Sequence, residues 1–178
     1  KAEYITVSGS FTAAKNDTIT VTLTYAGEGW DGTTKTEPKT ENGVYQIGTA
    51  AGLKWFRDKV NNVTKEADTQ ICAELTADIV LDANESWEPI GYASYYDYDE
   101  TKAYSGTFDG QGHTISGLKA DAVVSGLFGY TKNAAIKNLT VAGSVGGGNC
   151  STAVGGIVGY AVGGTIENCG NLCGVAVP

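Results

Sequence analysis

Six aspartates could serve as catalytic carboxylates: Asp78, Asp82, Asp97, Asp99, Asp109 and Asp121. Glycoside hydrolysis needs two carboxyl groups facing one space, roughly 5–10 Å apart. No two of the six sit 30 residues apart, the spacing at which this chain repeats itself. Asp109 precedes Gly110 in a turn, where Asp is favoured because its side chain bonds the backbone. It therefore reads as structural. His113 is the single histidine and has no Ser or Cys partner, so it also reads as structural. Elimination chemistry would need a basic cluster, and Arg57 is the only arginine. No catalytic constellation and no cofactor are expected.

Binding is the other chemistry on offer. Tyr92 to Tyr104 is dense in tyrosine and acid: Tyr92, Tyr95, Tyr96, Tyr98 and Tyr104 with Asp97, Asp99 and Glu100. Ring faces stack on sugars and carboxylates accept hydroxyl hydrogen bonds. The candidate ligand-binding residues are Trp87, Tyr92, Tyr95, Tyr96, Asp97, Tyr98 and Asp99. The alternative is that these rings pack on the flank of the body and seal it. Asp97-Tyr98-Asp99-Glu100 fits no known calcium loop, and a solvated acidic loop is the simpler reading. Cys72, Cys150, Cys169 and Cys173 allow three full pairings. Cys169-x-x-x-Cys173 with His113 is a poor zinc signature, so no metal is expected. Cys72 should be free and buried. The other three read as buried apolar residues or as a disulfide pair among themselves.

The elements that must hold these residues follow a repeat. Gly126-Leu127-Phe128-Gly129-Tyr130 with Ala135-Ile136-Lys137-Asn138 returns as Gly156-Ile157-Val158-Gly159-Tyr160 with Thr165-Ile166-Glu167-Asn168. Each pair is offset by 30 (166 − 136). A period of this size points to a stacked repeat. It predicts that Ile136 and Ile166 stack in one core. Residues 18–25 alternate threonine with Ile19, Val21, Leu23 and Tyr25, the mark of a half-buried strand. Residues 4–7 form another. Residues 27–42 read as an exposed loop, with Trp30 unexplained. Val44 to Ile47 is a strand. Thr49 then caps a helix over about 50–61, with Leu53, Phe56, Val60 and Trp55 on its apolar side. Lys54, Arg57, Asp58 and Lys59 are left to water or edges. The helix is suited to covering an open end of the stack. Residues 70–75 and 79–81 are strands, and 107–118 is a strand–turn–strand in which Gly110 and Gly112 suit positive φ.

At 178 residues the chain fits one domain with an appendage, and 42% hydrophobic residues suffice for a core. Glycine, 25 of 178, is about twice its usual share, which suits turns in a repeat. A net charge of −8 argues against nucleic acid or an anionic membrane as partner. No run of 18 apolar residues exists, so no membrane insertion is expected. The second repeat copy runs out at Val175-Ala176-Val177-Pro178 with nothing polar to cap it, so a truncated C-terminal end is expected.

The stretch from Tyr45 to Val175, about three quarters of the chain, resembles bacterial surface-protein repeats known as GLUG-motif, pectin-lyase-like β-helices. The residues that carry the likeness are Ile47-x-Thr49-Ala50-x-x-Leu53, Leu75-Thr76-Ala77-Asp78-Ile79, Trp87-x-Pro89-Ile90-Gly91, Phe108-Asp109-Gly110-x-Gly112-His113-x-Ile115 and the two Gly-Tyr units. The resemblance implies an all-β fold, a right-handed parallel β-helix with an N-terminal capping α-helix, over 44–178. Residues 1–43 would be a short N-terminal β segment and linker. It implies an extracellular or cell wall-associated setting, and it supplies no catalytic residue to carry over. The expected function is a non-catalytic module of a secreted or cell-surface protein: adhesin, stalk or glycan-binding segment. Its partner would be a host or microbial glycan or surface protein. The alternative is a fragment of a glycan-active β-helix enzyme or an accessory region of a secreted peptidase.

Overall fold

The computed structural model describes residues 35–62, 68–91, 99–147 and 153–176. The strands expected at 4–7 and 18–25, Trp30, Cys150 and residues 92–98 lie outside them. The described residues are mostly β, with parallel sheets and one α-helix.

The first described strand, β1 (Lys39–Glu41), pairs antiparallel with β2 (Val44–Ile47). Asn42 and Gly43 between them have φ of 52° and 80°. Positive φ at both central residues is the hairpin turn that Asn-Gly favours. The expected loop over 27–42 therefore ends in a strand. The Asn-Gly signal was there, but the flanking residues are polar and exposed, so they carry no alternation. Helix α1 (Ala50–Val60) follows, with the Thr49 hydroxyl accepting from the Gly52 amide at 3.1 Å. It buries Leu53, Phe56 and Val60, as its apolar spacing predicts. Arg57 departs from expectation: it is 5% exposed. Its guanidinium lies 5.0 Å from the Trp87 ring centre and pairs with Asp58. Cation–π contact and an ion pair make such burial tolerable.

From there the chain visits the same sheets in the same order on successive passes. One pass supplies β3 (Cys72–Leu75) and β4 (Ile79–Val80). The next supplies β5 (Thr107–Asp109), β6 (Thr114–Asp121), β7 (Val124–Ser125) and β8 (Phe128–Lys132). The following one supplies β9 (Ala135–Lys137), β10 (Thr140–Gly146), β11 (Ala153–Val154) and β12 (Val158–Val162). The last has β13 (Thr165–Glu167) and β14 (Gly170–Ala176). Equivalent strands pair parallel, giving sheets ordered β1-β2-β3-β5-β9-β13, β14-β10-β6-β4, β11-β7 and β12-β8. Ala73, Phe108, Ile136 and Ile166 form one column, so Ile136 and Ile166 are strand partners as expected, but only Ile136 lies in the core, and Ile166 is 50% exposed. Ile79, Ile115 and Val141 form a second column. Inward residues of both columns make one continuous core with α1.

The repeat glycines differ from the turn role expected of them. A Cβ at Gly129 would lie 2.6 Å from the Gly91 carbonyl oxygen, and one at Gly159 would lie 2.9 Å from that of Ser125. Close approach of neighbouring passes, and not positive φ, requires glycine there. In the turn after β5, Gly112 does have φ of 81°, but the other left-handed residue is Gln111, not Gly110. A Cβ on Gly110 would lie 2.6 Å from the Leu139 Cα.

Candidate functional site

The polar corner between β5 and β6, and between the equivalent strands of later passes, brings Asp78, Asp109 and His113 together with Asn138 and Asn168. Asp109 Oδ1 accepts from the Gln111 amide at 2.9 Å and from Asn138 Nδ2 at 2.9 Å. Its Oδ2 lies 3.2 Å from Lys137 Nζ. Asn168 Nδ2 donates to Asn138 Oδ1 at 3.0 Å, so Asp109, Asn138 and Asn168 form a side-chain ladder. Asn138 and Asn168 hold φ of 52° and 56°, a conformation asparagine tolerates because its short polar side chain bonds locally. Next to the ladder, Asp78 Oδ1 accepts from the Thr114 amide at 2.9 Å and lies 3.1 Å from His113 Nδ1. Gln111 Nε2 donates to Glu74 at 3.2 Å. A shallow, open depression here is lined by Gln111, Gly112, Asn138, Thr140 and Asn168.

Electrostatics says what this corner can do. The Thr114 amide, aided by His113, holds the Asp78 carboxyl below its ordinary range. Burial works against the Asp109 carboxylate, but Asn138, the Gln111 amide and Lys137 together outweigh it and lower its pKa. A general acid needs its pKa raised toward the working pH. Both carboxylates are shifted the other way and already accept internal hydrogen bonds. The corner offers amides and a hydroxyl, groups that hydrogen-bond sugar hydroxyls and do not transfer protons. The reading of Asp109 as a turn residue agrees with these bonds, and His113 is paired to Asp78, not to a nucleophile.

Of the residues singled out as a binding patch, Trp87 and Asp99 are described, and both lie away from this corner. Trp87 is 2% exposed, and its Nε1 donates to the Leu127 carbonyl at 3.1 Å. With Arg57 over one face, its ring has no surface to offer a sugar. Asp99 caps the short 3₁₀ turn Glu100–Lys102, accepting from the Thr101 amide at 3.0 Å and hydroxyl at 2.6 Å. Those bonds, the hydroxyl foremost, lower its pKa. Tyr104, the last tyrosine of the stretch, is fully buried. It stacks on Phe128 at 5.3 Å and donates to the Ile71 carbonyl at 3.0 Å. Tyr92, Tyr95, Tyr96, Asp97 and Tyr98 lie outside the described residues. The amide ladder was missed as a site, although the repeated asparagine was visible at both 138 and 168.

Cys72 is free, as expected, but half-buried. Ala73 and Leu75 face the core, so the period of two turns Cys72 and Glu74 to the outer face. Cys169 and Cys173 are free and half-buried against the core, with burial raising the Cys173 thiol. Among the described residues no cluster of three or more His, Cys, Asp or Glu is placed to hold a metal ion. Among them, too, no helix is long and apolar enough to cross a membrane.

Residues 151–171 match the family model described as the GLUG motif. The chain is 32% identical over 160 residues to halomucin of Haloquadratum walsbyi. That alignment covers 80% of this chain and 2% of halomucin's length. No solved structure matches.

Proposed function

We propose that this chain is a non-catalytic module of a cell-surface or secreted protein, built as a right-handed parallel β-helix and serving as adhesin, stalk or glycan-binding segment. One observation carries the reading: equivalent strands of successive passes pair in parallel in four sheets, with one register shift between β6 and β10. Parallel connections within a sheet are right-handed in nearly all proteins, which supplies the hand. Such stacking makes a stiff rod whose residues are committed to holding the next pass. The GLUG match and the likeness to a protein named a mucin support an extracellular or cell wall-associated setting. Halomucin is far longer than the matched region, so the role of the whole protein rests on this proposal too.

The face we assign to glycan contact is the amide corner of Gln111, Asn138, Thr140 and Asn168, not Trp87. Neutral donors and acceptors on a rigid wall suit hydroxyl-rich ligands, and loops leaving the stack can add to them. A glycan array and a turnover screen on the same purified chain test the reading. Attachment without turnover, weakened by Asn168→Ala, is the expected result. Absence of both attachment and turnover leaves the stalk role. Release of products from an acidic polysaccharide would overturn the proposal in favour of a glycan-active enzyme.

A further inference from the structure

The β12-β8 sheet is finished, beside the end of α1, by a side chain. Ile90 joins that sheet through a single parallel bridge to Phe128, which pairs in turn with Val158 of β12. The Ile90 amide donates to the Leu127 carbonyl at 2.9 Å, and the Gly129 amide donates to the Ile90 carbonyl at 2.8 Å. In a parallel ladder one residue spans in this way the two groups that flank its partner. The Pro89 carbonyl and the Gly91 amide, which flank Ile90, face the other edge. Both are taken by Asn61, the residue that caps the C-terminus of α1. Its Nδ2 donates to the Pro89 carbonyl at 2.8 Å, and its Oδ1 accepts from the Gly91 amide at 2.8 Å. The carboxamide therefore repeats toward Ile90 what the Ile90 N–H and C=O do toward Phe128. Its orientation is fixed by its partners, because a carbonyl needs a donor and an amide needs an acceptor.

We infer that Asn61 closes this edge against strand addition, its side-chain amide standing in for one residue of a parallel neighbour, and that the occupant it excludes is an extended segment of a second copy of the chain. Unpaired N–H and C=O groups on a sheet edge are a template for another chain. A strand added beside Ile90 would need the two groups that Asn61 holds. Pro89 supports the reading independently. An N–H at position 89 would face the same edge as that of Gly91, since alternate residues turn the same way, and proline has none. Gly91 is thus the one donor that residues 89–91 present there, and Asn61 occupies it. The best-matched intruder is the segment of β8 itself, because Phe128 already pairs parallel with Ile90 on one side and with Val158 on the other. A leucine at 61 would fill similar space with neither bond, and an aspartate would accept from Gly91 without donating to Pro89. The inference stands on hydrogen-bond geometry and is independent of the surface-module proposal.

A fluorescent peptide copying residues 124–132, titrated against the full chain, tests it, with sedimentation velocity reading self-association. Asn61→Leu should bind the peptide at least about tenfold more tightly than the original chain does, and should gain a concentration-dependent dimer. Asn61→Asp keeps the acceptor for Gly91 and sets a carboxylate on the edge. It should lower the melting temperature yet take up no more peptide than the original chain. That contrast separates edge closure from a general loss of stability. Equal uptake by the two variants, or increased uptake by neither, would overturn the inference. A measurement on the original chain guards against a variant that fails to fold. The Gly91 amide should exchange with deuterium at least about tenfold more slowly than an unprotected peptide amide. Exchange of Gly91 at the open-chain rate would overturn the inference. So would self-association of the original chain that the 124–132 peptide dissolves, because the edge would then be open with Asn61 in place.

Discussion

Asp109 shows how a residue of catalytic type is held in structural use. Its carboxylate serves the Gln111 amide, Asn138 and Lys137 at once. Hydrogen bonds to a charged group are worth about 1.5–3 kcal/mol each when broken, so Asp109→Ala should cost about 1–3 kcal/mol in urea unfolding at neutral pH. The pH dependence has a definite sign. The folded pKa lies below the ordinary value. The stabilisation is therefore present above about pH 4 and is lost as pH falls through the folded pKa. The gap between the original protein and Asp109→Ala should shrink below that point, and a gap unchanged down to about pH 2 would contradict the assignment. Trp87 belongs to the same scale. Removing a fully packed indole costs about 3–5 kcal/mol, so Trp87→Ala should lower the unfolding midpoint sharply. If a glycan is bound, its affinity for the fraction still folded should be unchanged.

At the scale of elements, the turns decide where each pass changes direction. Asn138 does two things: it holds φ of 52° and bonds Asp109 below and Asn168 above. Asn138→Gly keeps the backbone freedom and loses the amide bonds. Asn138→Ala loses both, and the left-handed backbone alone costs roughly 1–2 kcal/mol for a residue with a Cβ. Thermal melts should rank the original protein above Gly and Gly above Ala. Equal losses for the two variants would show that backbone conformation is not what asparagine supplies here. The helix has its own control point in the Thr49 cap, and Thr49→Ala should cost about 1 kcal/mol.

For the whole molecule, stacking makes stability a matter of neighbours on either side. Ile136 has Phe108 on one side and Ile166 on the other. Ile166 has a described strand on one side only. Ile136→Ala should therefore cost about 2–5 kcal/mol, and the chemically identical Ile166→Ala about 1 kcal/mol or less. Paired chemical denaturation measures both, and similar costs at the two sites would mean that the last pass is as tightly packed as the one before it.

Much of the architecture was legible because it depends on short separations. The period of 30 placed Ile136 against Ile166, the spacing of Leu53, Phe56 and Val60 marked the buried side of α1, and Thr49 marked its start. Asp109 beside Gly110 announced a turn. Each of these patterns is set by residues a few positions apart or by a copy of the same stretch. Tertiary structure alone decided the rest. Trp87 is buried because Leu127, 40 residues on, receives its N–H and Arg57 covers its face. Tyr104 joins the core through Phe128 and Ile71, and Cys72 turns outward because its strand presents Ala73 and Leu75 to the interior. Gly129 and Gly159 answer to a backbone in the adjoining pass, not to a turn of their own. The amide corner exists only once three passes lie over one another. Sequence marks the alternation and the period, since those are properties of one strand and its repeat. Which face of an aromatic is covered, and which amides meet, depends on groups about 24 to 40 residues away that only stacking brings into contact.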